Sequence, residues 1–196
     1  MRKIIVAISF LVIVSNALCQ KETFFNKFKT LEAPFSVNAS TFDFYASESD
    51  VKLNESNVEK YLLSETDEFL IRKFNQKLKQ NTYYDYFSVG KIKIKNYLII
   101  LYYRNYKTIS DDLYIELMAC IFNAKSNLCQ TLSLSKIDTQ LGIFTFCDIS
   151  EGGDIFIRYY SKKAVNNENL ETGIIKEIKY KLTNGIEPYQ IYYERH

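Results

Sequence analysis

The chain has very little histidine, and this scarcity argues against several kinds of enzyme. Its one histidine is His196, the last residue. Chain ends are usually poorly ordered, whereas a catalytic or metal-binding imidazole must be held in place. We therefore expect neither a Ser-His-Asp or Cys-His hydrolase nor a zinc site with histidine ligands.

Glycine, proline and tryptophan are scarce as well. The 196 residues include six glycines, two prolines and no tryptophan, and no glycine-rich loop precedes a predicted helix. The sequence therefore lacks the phosphate-binding loop of nucleotide-binding proteins, and we predict no cofactor. Phenylalanine and tyrosine, by contrast, number 14 and 16. Because aromatic and β-branched residues favour strands, this composition predicts a mainly β protein.

An excess of positive charge is missing from the predicted mature chain. The sequence has 25 Lys and Arg residues against 23 Asp and Glu, and removing the first 19 residues takes away Arg2 and Lys3, which makes the counts equal. Nucleic-acid-binding proteins normally carry a clustered basic face. Here the lysines of KIKIK (91–95) and IKEIKYK (175–181) are interleaved with other residues. We expect no nucleic-acid partner.

Residues 1–19 have the layout of a secretory signal peptide. Arg2 and Lys3 precede an apolar run at 4–14, and small or polar residues follow it. A membrane-spanning helix needs about 20 apolar residues, so the run favours export over a permanent span. Cleavage after Ala17, Leu18 or Cys19 remains open. We predict an exported protein that is periplasmic, secreted or associated with the outer membrane.

Lipid attachment to Cys19 is an alternative to the release of a soluble chain. Bacterial lipoproteins attach acyl chains to a cysteine that becomes the first mature residue, usually after a large aliphatic residue at −3 and a small residue at −1. Asn16 and Leu18 stand at these two positions, which is nearly the reverse arrangement. Lipidation of Cys19 is therefore the alternative to soluble export. Membrane contact is predicted only through such a lipid.

The predicted mature chain has a length that suits one domain. Residues 20–53 contain clusters of Ser, Asn and Asp and are predicted to be irregular. Residues 54–196 are predicted to form the domain, with helices within 54–79 and an antiparallel sheet across 83–195. Asn54 is the expected N-cap of the first helix.

From residue 83 onward, short apolar runs are separated by turn residues at the spacing of successive antiparallel strands. The predicted strands are 83–94, 96–106, 112–123, 129–137, 141–149, 154–163, 173–182 and 188–195. Their short connections predict a β-meander of about eight strands.

Two of the predicted strands indicate how the sheet is covered. The run YLIILYY (97–103) is apolar on both faces, whereas IKEIKYKL (175–182) alternates between polar and apolar residues. We therefore predict a mainly β fold, α+β by count of elements, with a strongly curved or barrel-like sheet and one or two short N-terminal helices at its open end. A β-sandwich is the alternative.

The sharpest polar cluster lies in CDISEGGDIF (147–156). Asp148, Ser150 and Asp154 stand at positions 1, 3 and 7 of a sequence that imitates the start of a calcium loop. Tyr159 occupies position 12, where a glutamate is needed, and a Gly-Gly hairpin turn explains the same residues. We favour the turn and predict no metal. If the protein is a hydrolase, Asp148, Glu151 and Asp154 are the carboxylates expected to carry its activity.

Three cysteines follow the predicted signal peptide. The expected turns place Cys120 and Cys129 diagonally on one face and Cys147 on the other. Diagonal neighbours lie about 7–8 Å apart, which exceeds the usual disulfide geometry. We predict unpaired, small, buried thiols. Asn38 and Asn54 match the N-x-S glycosylation pattern and are predicted to be ordinary polar residues.

Three stretches together resemble small exported proteins of the Bacteroidota that have no assigned function. These are CQKE (19–22) after the signal, APFSVNAS (33–40), and YFSVGKIKIKNYLIILYYR (86–104) leading into the meander. The resemblance implies residence in the envelope or periplasm, often with a lipid anchor. It implies no catalytic residues.

These features favour a non-enzymatic binding or interaction module in the cell envelope. Its expected partner is an envelope protein or a small apolar ligand. Two other functions remain open, a secreted hydrolase that uses carboxylates and a structural or toxin-neutralising envelope partner.

Overall fold

The computed structural model describes residues 19–38, 41–42, 51–63, 84–107, 113–138, 143–161, 174–182 and 186–191. They include helix α1 (19–25), helix α2 (Glu55–Tyr61) and ten strands. The strands are β1 Thr30–Leu31, β2 Phe35–Val37, β3 Tyr84–Ile94, β4 Tyr97–Lys107, β5 Leu113–Phe122, β6 Leu128–Asp138, β7 Ile143–Ile149, β8 Asp154–Ser161, β9 Ile174–Leu182 and β10 Ile186–Ile191. The signal segment before residue 19 and the predicted helical residues 65–79 lie outside the described residues.

Strands β3 to β10 pair in sequence order, so the predicted antiparallel meander of eight strands is confirmed. Each of these strands begins within two residues of its predicted start. β1 joins the outer edge of β3 in parallel, and β2 pairs with β7. Among the described strands β1 and β10 end the sheet without pairing with each other, so the sheet is not closed.

The segment 20–53, which was expected to be irregular, contains regular elements within its described parts. It contains most of α1, and β1 and β2 follow. Strands of two or three residues are too short to show a periodic pattern, so local sequence could not identify them. β2 has a defined place in the sheet, because β6 pairs only with 143–145 of β7 and β2 pairs with 147–149.

One face of the sheet curves around the main hydrophobic core. This inner face buries residues from β2 to β9, among them Val37, Ile92, Leu101, Leu117, Leu134, Ile149 and Ile157. The sheet bends far enough for the β7–β8 turn to reach the end of β3. A Cβ added at Gly153 would lie 3.0 Å from Cγ2 of Ile94 and 3.3 Å from Cβ of Leu182. This close approach explains why glycine stands at position 153.

The opposite face of β3–β5 is covered by the two helices. The outer cluster contains Phe24, Phe25, Phe28, Leu53, Val58, Leu62, Tyr86, Ile100, Tyr102, Met118, Cys120 and Phe122. Phe24 of α1 meets Tyr61 of α2 with ring centroids 5.3 Å apart. α1 and α2 therefore lie on the outer face of the sheet, whereas the predicted helices were expected at its open end. They go there because β3–β5 present apolar side chains on that face.

The two-sided burial predicted for YLIILYY is confirmed. Ile99 and Leu101 belong to the inner core, whereas Ile100 and Tyr102 belong to the outer cluster. In β3 an irregularity between Ser88 and Gly90 shifts the register. A β-bulge of this kind changes which side chains face each side of the strand.

No helix in the described part of the chain has the length and apolar character to cross a bilayer.

Candidate binding surface

The cluster proposed as a calcium loop forms the turn between β7 and β8. The backbone N–H of Ser150 donates to the carbonyl of Asp154 over 2.9 Å, and that of Gly153 donates to the carbonyl of Ser150 over 3.0 Å. The Ser150 hydroxyl accepts from the backbone N–H of Asp154 over 3.0 Å. Gly153 has φ +87°, a left-handed conformation that glycine adopts without strain. The segment is therefore the predicted hairpin.

The oxygens that a calcium ion would need are used by protein groups. The Asp148 carboxylate accepts from the Ser36 hydroxyl over 2.5 Å and pairs with Arg158. The Asp154 carboxylate lies 2.8 Å from Nζ of Lys179. Among the described residues no group of three or more His, Cys, Asp or Glu side chains is arranged to hold a metal. The two aspartates thus point toward two different cations.

These contacts belong to a polar strip on β2, β7, β8 and β9, on the face opposite to the one that carries Ile149, Ile155 and Ile157. We call it the outer ladder and define it as Ser36, Asp148, Asp154, Phe156, Arg158, Glu177 and Lys179. The strand register places these residues on neighbouring positions, since Asp148 stands opposite both Ser36 and Phe156. Arg158 likewise stands opposite Glu177.

Arg158 holds the centre of the outer ladder. Its Nε donates to the Glu177 carboxylate over 2.6 Å, and its Nη1 pairs with Asp148. Partial burial opposes the charge of Arg158, but the hydrogen bonds to both carboxylates outweigh burial and raise its pKa. Because two acceptors on neighbouring strands fix the guanidinium, its orientation is set before any partner arrives.

Phe156 lies between two cations of the outer ladder. The guanidinium carbon of Arg158 is 5.4 Å from the centroid of its ring, and Nζ of Lys179 is 4.7 Å from it. Both distances permit cation–π attraction. The ring is half-buried, so part of it faces solvent. The surface therefore combines an ordered arginine with an accessible aromatic ring.

A second ion pair lies on β4 and β5, in the first half of the meander (β3–β6), and its side chains are more buried. The Arg104 and Glu116 side chains are 17% and 10% exposed, and Nε of Arg104 donates to Glu116 over 3.2 Å. The Ser133 hydroxyl donates to the same carboxylate over 2.5 Å. Burial opposes the charge of Arg104, but Glu116 raises its pKa. This pair cross-links β4, β5 and β6.

None of the three cysteines, all of which are within the described residues, forms a disulfide. Cys120 is in the outer cluster, and Cys147 is in the inner core. Burial raises the pKa of Cys147 to about 12, with the Ser135 hydroxyl and the Val37 backbone lowering it in part. The prediction of a buried thiol is wrong for Cys129, which is exposed beside an irregularity in the β5–β6 register.

The other singled-out residues are exposed. Cys19 is exposed at the beginning of the described chain, and Phe24 of the same helix is buried. The predicted cleavage sites therefore lie at or next to a packed helix. Asn38 and Asn54 are also exposed. Asn54 is the N-cap of α2 as predicted, but its side chain makes no capping bond and accepts instead from the Ser56 hydroxyl over 2.5 Å.

We did not predict Phe156, Arg158, Glu177 and Lys179 as site residues from the sequence. The available signal was the alternation of DIFIRYY (154–160) and IKEIKYKL (175–182), which places these residues on the wet face of two neighbouring strands. The alternation does not specify which side chains stand opposite each other, since that depends on register.

The chain matches no protein-family model, no curated protein and no solved structure. A functional assignment therefore depends on the side chains described above.

Proposed function

We propose that the protein is an exported, non-enzymatic binding module whose partner protein docks on the outer ladder. The observation that carries this proposal is the guanidinium of Arg158, held by Asp148 and Glu177 beside the half-exposed ring of Phe156. Arginine and aromatic residues are enriched at protein interfaces and account for a large share of their binding energy.

The pre-ordered geometry of the outer ladder favours binding. Immobilising a flexible side chain at an interface costs about 0.5–1.5 kcal/mol. Arg158 and Lys179 already hold their positions through Glu177 and Asp154, so much of this cost is met in the free protein. A partner with acidic and apolar groups in alternation would complement the two cations and the ring between them.

Two features support a protein partner over the other expected functions. Among the described residues, side chains on the inner face of the sheet such as Leu101, Leu117 and Ile149 are fully buried, so they offer no accessible surface to the expected apolar ligand. The hydrolase alternative needs carboxylates that converge on one substrate. Asp148 and Asp154 are instead held in separate ion pairs.

Export is part of the same proposal and depends on the signal-like layout of residues 1–19. We expect a soluble mature chain that begins at Leu18, Cys19 or Gln20. The intact mass of the protein from its native host measures this directly. An acyl addition on Cys19 together with recovery in the membrane fraction would contradict soluble export and leave a lipid-anchored module.

The docking surface is tested by placing a photo-reactive benzoyl group on residue 156 in the exporting host. We expect the Phe156 position to crosslink one protein of the same compartment. The same group at Val51, which is 40% exposed and belongs to the other half of the molecule, is the control and should not crosslink that protein.

With the crosslinked partner purified, affinity measurements decide the role of the outer ladder. We expect Phe156→Ala and Arg158→Gln each to weaken the complex by about thirtyfold or more, because central interface anchors contribute about 2 kcal/mol or more. Val51→Ala should leave the affinity unchanged. Equal losses at Val51 and in the outer ladder, or no loss at either, would contradict the proposed surface.

A further inference from the structure

A groove lies on the helix-covered side of the molecule, away from the outer ladder. It runs between α1, the β3–β4 hairpin and the β5–β6 turn, and it has a volume of about 410 Å³. We call it the α1 groove and describe it by Lys21, Glu22, Phe25, Asn26, Lys91 and Leu98. Small-molecule sites commonly have volumes of about 300–1,000 Å³. All these residues follow every predicted cleavage site, so the mature protein keeps the groove.

Two lysines of the α1 groove are anchored by neutral acceptors. Nζ of Lys21 donates to the Ser126 carbonyl over 2.6 Å, and Nζ of Lys91 donates to the Phe25 carbonyl over 3.2 Å. An ammonium has three donors, so each lysine keeps donors for a ligand. A carbonyl dipole positions an ammonium but does not neutralise its charge. The groove therefore presents two oriented cations.

Lys21 is the more strongly constrained of the two. Its Nζ lies 4.8 Å from the ring centroid of Phe122 and 5.6 Å from that of Phe25. Partial burial lowers the pKa of Lys21. A bound anion would offset this burial penalty by restoring a counter-charge. Glu22 is the one acid among the six groove residues, so the charges of the set favour an anion.

Two residues that line the α1 groove are apolar, Phe25 and Leu98. Phe25 is buried against the sheet, and Leu98 is partly buried in the outer cluster. We propose that the α1 groove binds a small amphipathic anion, with a carboxylate or phosphate head at Lys21 and Lys91 and a short alkyl tail along Phe25 and Leu98. This site is independent of the outer ladder, so either proposal can fail alone.

Sodium decanoate is the probe for the α1 groove, and calorimetric titration of the exported protein is the measurement. We expect saturable binding of one decanoate, and binding of the uncharged decanol that is weaker by about tenfold or more. Equal affinity for decanol, or no saturable binding of decanoate, would overturn the anion site. This comparison uses the wild-type protein only, so it does not depend on how a variant folds.

The roles of the two lysines are tested by Lys21→Gln and Lys91→Gln, singly and together. We expect each single change to weaken decanoate binding by about tenfold. Lys93→Gln is the matched control, because Lys93 is an exposed lysine on the same strand that does not line the groove. Loss of affinity in the control to the same extent would overturn the assignment.

A free anion and a lipid headgroup share this chemistry, and a flotation assay separates them. The protein is mixed with phosphatidylglycerol vesicles in the presence and absence of decanoate. We expect no flotation, which supports a free ligand. Flotation that Lys21→Gln abolishes and decanoate competes away would overturn the free-ligand assignment and identify the lipid headgroup as the source of the anion.

Discussion

The two halves of the meander, β3–β6 and β7–β10, differ in how many of their faces are buried. In the first half, β4 is buried on both faces, by the inner core on one side and by α1 and α2 on the other. In the second half, β8 buries Ile155 and Ile157 on one face and carries Phe156 and Arg158 on the other. A strand that is buried on both faces has few positions left for polar side chains. The difference explains why the ordered polar strip lies on the second half.

The ion pairs of the two halves also differ in their exposure to solvent. The Arg104–Glu116 pair of the first half is nearly enclosed, whereas Arg158 in the outer ladder is 28% exposed. Each ion of a buried pair depends on its partner, because both ions have lost their hydration. A half-exposed pair keeps part of its water and remains accessible to a second protein. The first pair therefore stabilises the fold, and the second suits recognition.

The largest effect is expected where the enclosed ion pair is broken. Arg104→Met leaves Glu116 buried without its cation, and we expect a loss of about 3–5 kcal/mol in the free energy of unfolding. Urea denaturation measures the change.

Two controls accompany this substitution. The double variant Arg104→Met with Glu116→Leu should recover most of the stability, because it removes both charges. Lys52→Met breaks a pair with Asp85 whose side chains are 64% and 56% exposed, and it should cost about 1 kcal/mol or less. A similar loss for Arg104→Met and Lys52→Met would contradict the proposed difference between the halves.

Neighbouring residues within one strand test the two-sided burial. Ile99→Ala and Ile100→Ala in β4 should each cost about 2–5 kcal/mol, because both side chains are fully buried. In β8 we expect a similar loss for Ile157→Ala but only about 1 kcal/mol or less for Phe156→Ala. Thermal and urea unfolding of the four variants measure this, and equal losses in β8 would refute the comparison.

The buried thiol of Cys147 predicts a loss of stability at high pH. Burial raises its pKa from the ordinary 9.0 to about 12, so the folded protein holds this proton more tightly than the unfolded chain. Stability is complete below pH 9 and falls as the pH rises toward 12. At pH 10.5 the loss from this group is about 2 kcal/mol.

The contribution of Cys147 is isolated with Cys147→Ala. We expect the wild-type protein to lose about 2 kcal/mol more than the variant between pH 8 and pH 10.5, since tyrosines titrate in both proteins. Urea unfolding at the two pH values provides the comparison. Parallel losses in the two proteins would show that this thiol does not couple to folding.

A small effect on stability is expected for the Arg158 ion pairs of the outer ladder. Arg158→Gln should cost about 1 kcal/mol in the free energy of unfolding, and the cost should shrink in 1 M salt because the pair is partly exposed. Unfolding at low and high salt measures it. A loss as large as that of Arg104→Met would assign Arg158 to the fold and weaken its proposed role in recognition.

The sequence predicted part of the candidate site but not its arrangement. Asp148 and Asp154 were singled out from their spacing, and the structure places both in the outer ladder with roles other than metal binding. Their partners Arg158 and Lys179 were missed. A register irregularity between Tyr159 and Tyr160 affects the β8–β9 pairing, and single-sequence patterns do not reveal it.

The order of apolar and polar residues was enough to predict the positions of the eight meander strands, the burial of both faces of β4 and the exposure of one face of β9. These properties depend on the order of apolar and polar residues within a few positions, and the period of a strand is local. The sequence did not predict that α1 and α2 cover the outer face or that Ser36 contacts Asp148, 112 residues away. Such contacts depend on how the sheet curves and on its register, which are properties of the whole chain.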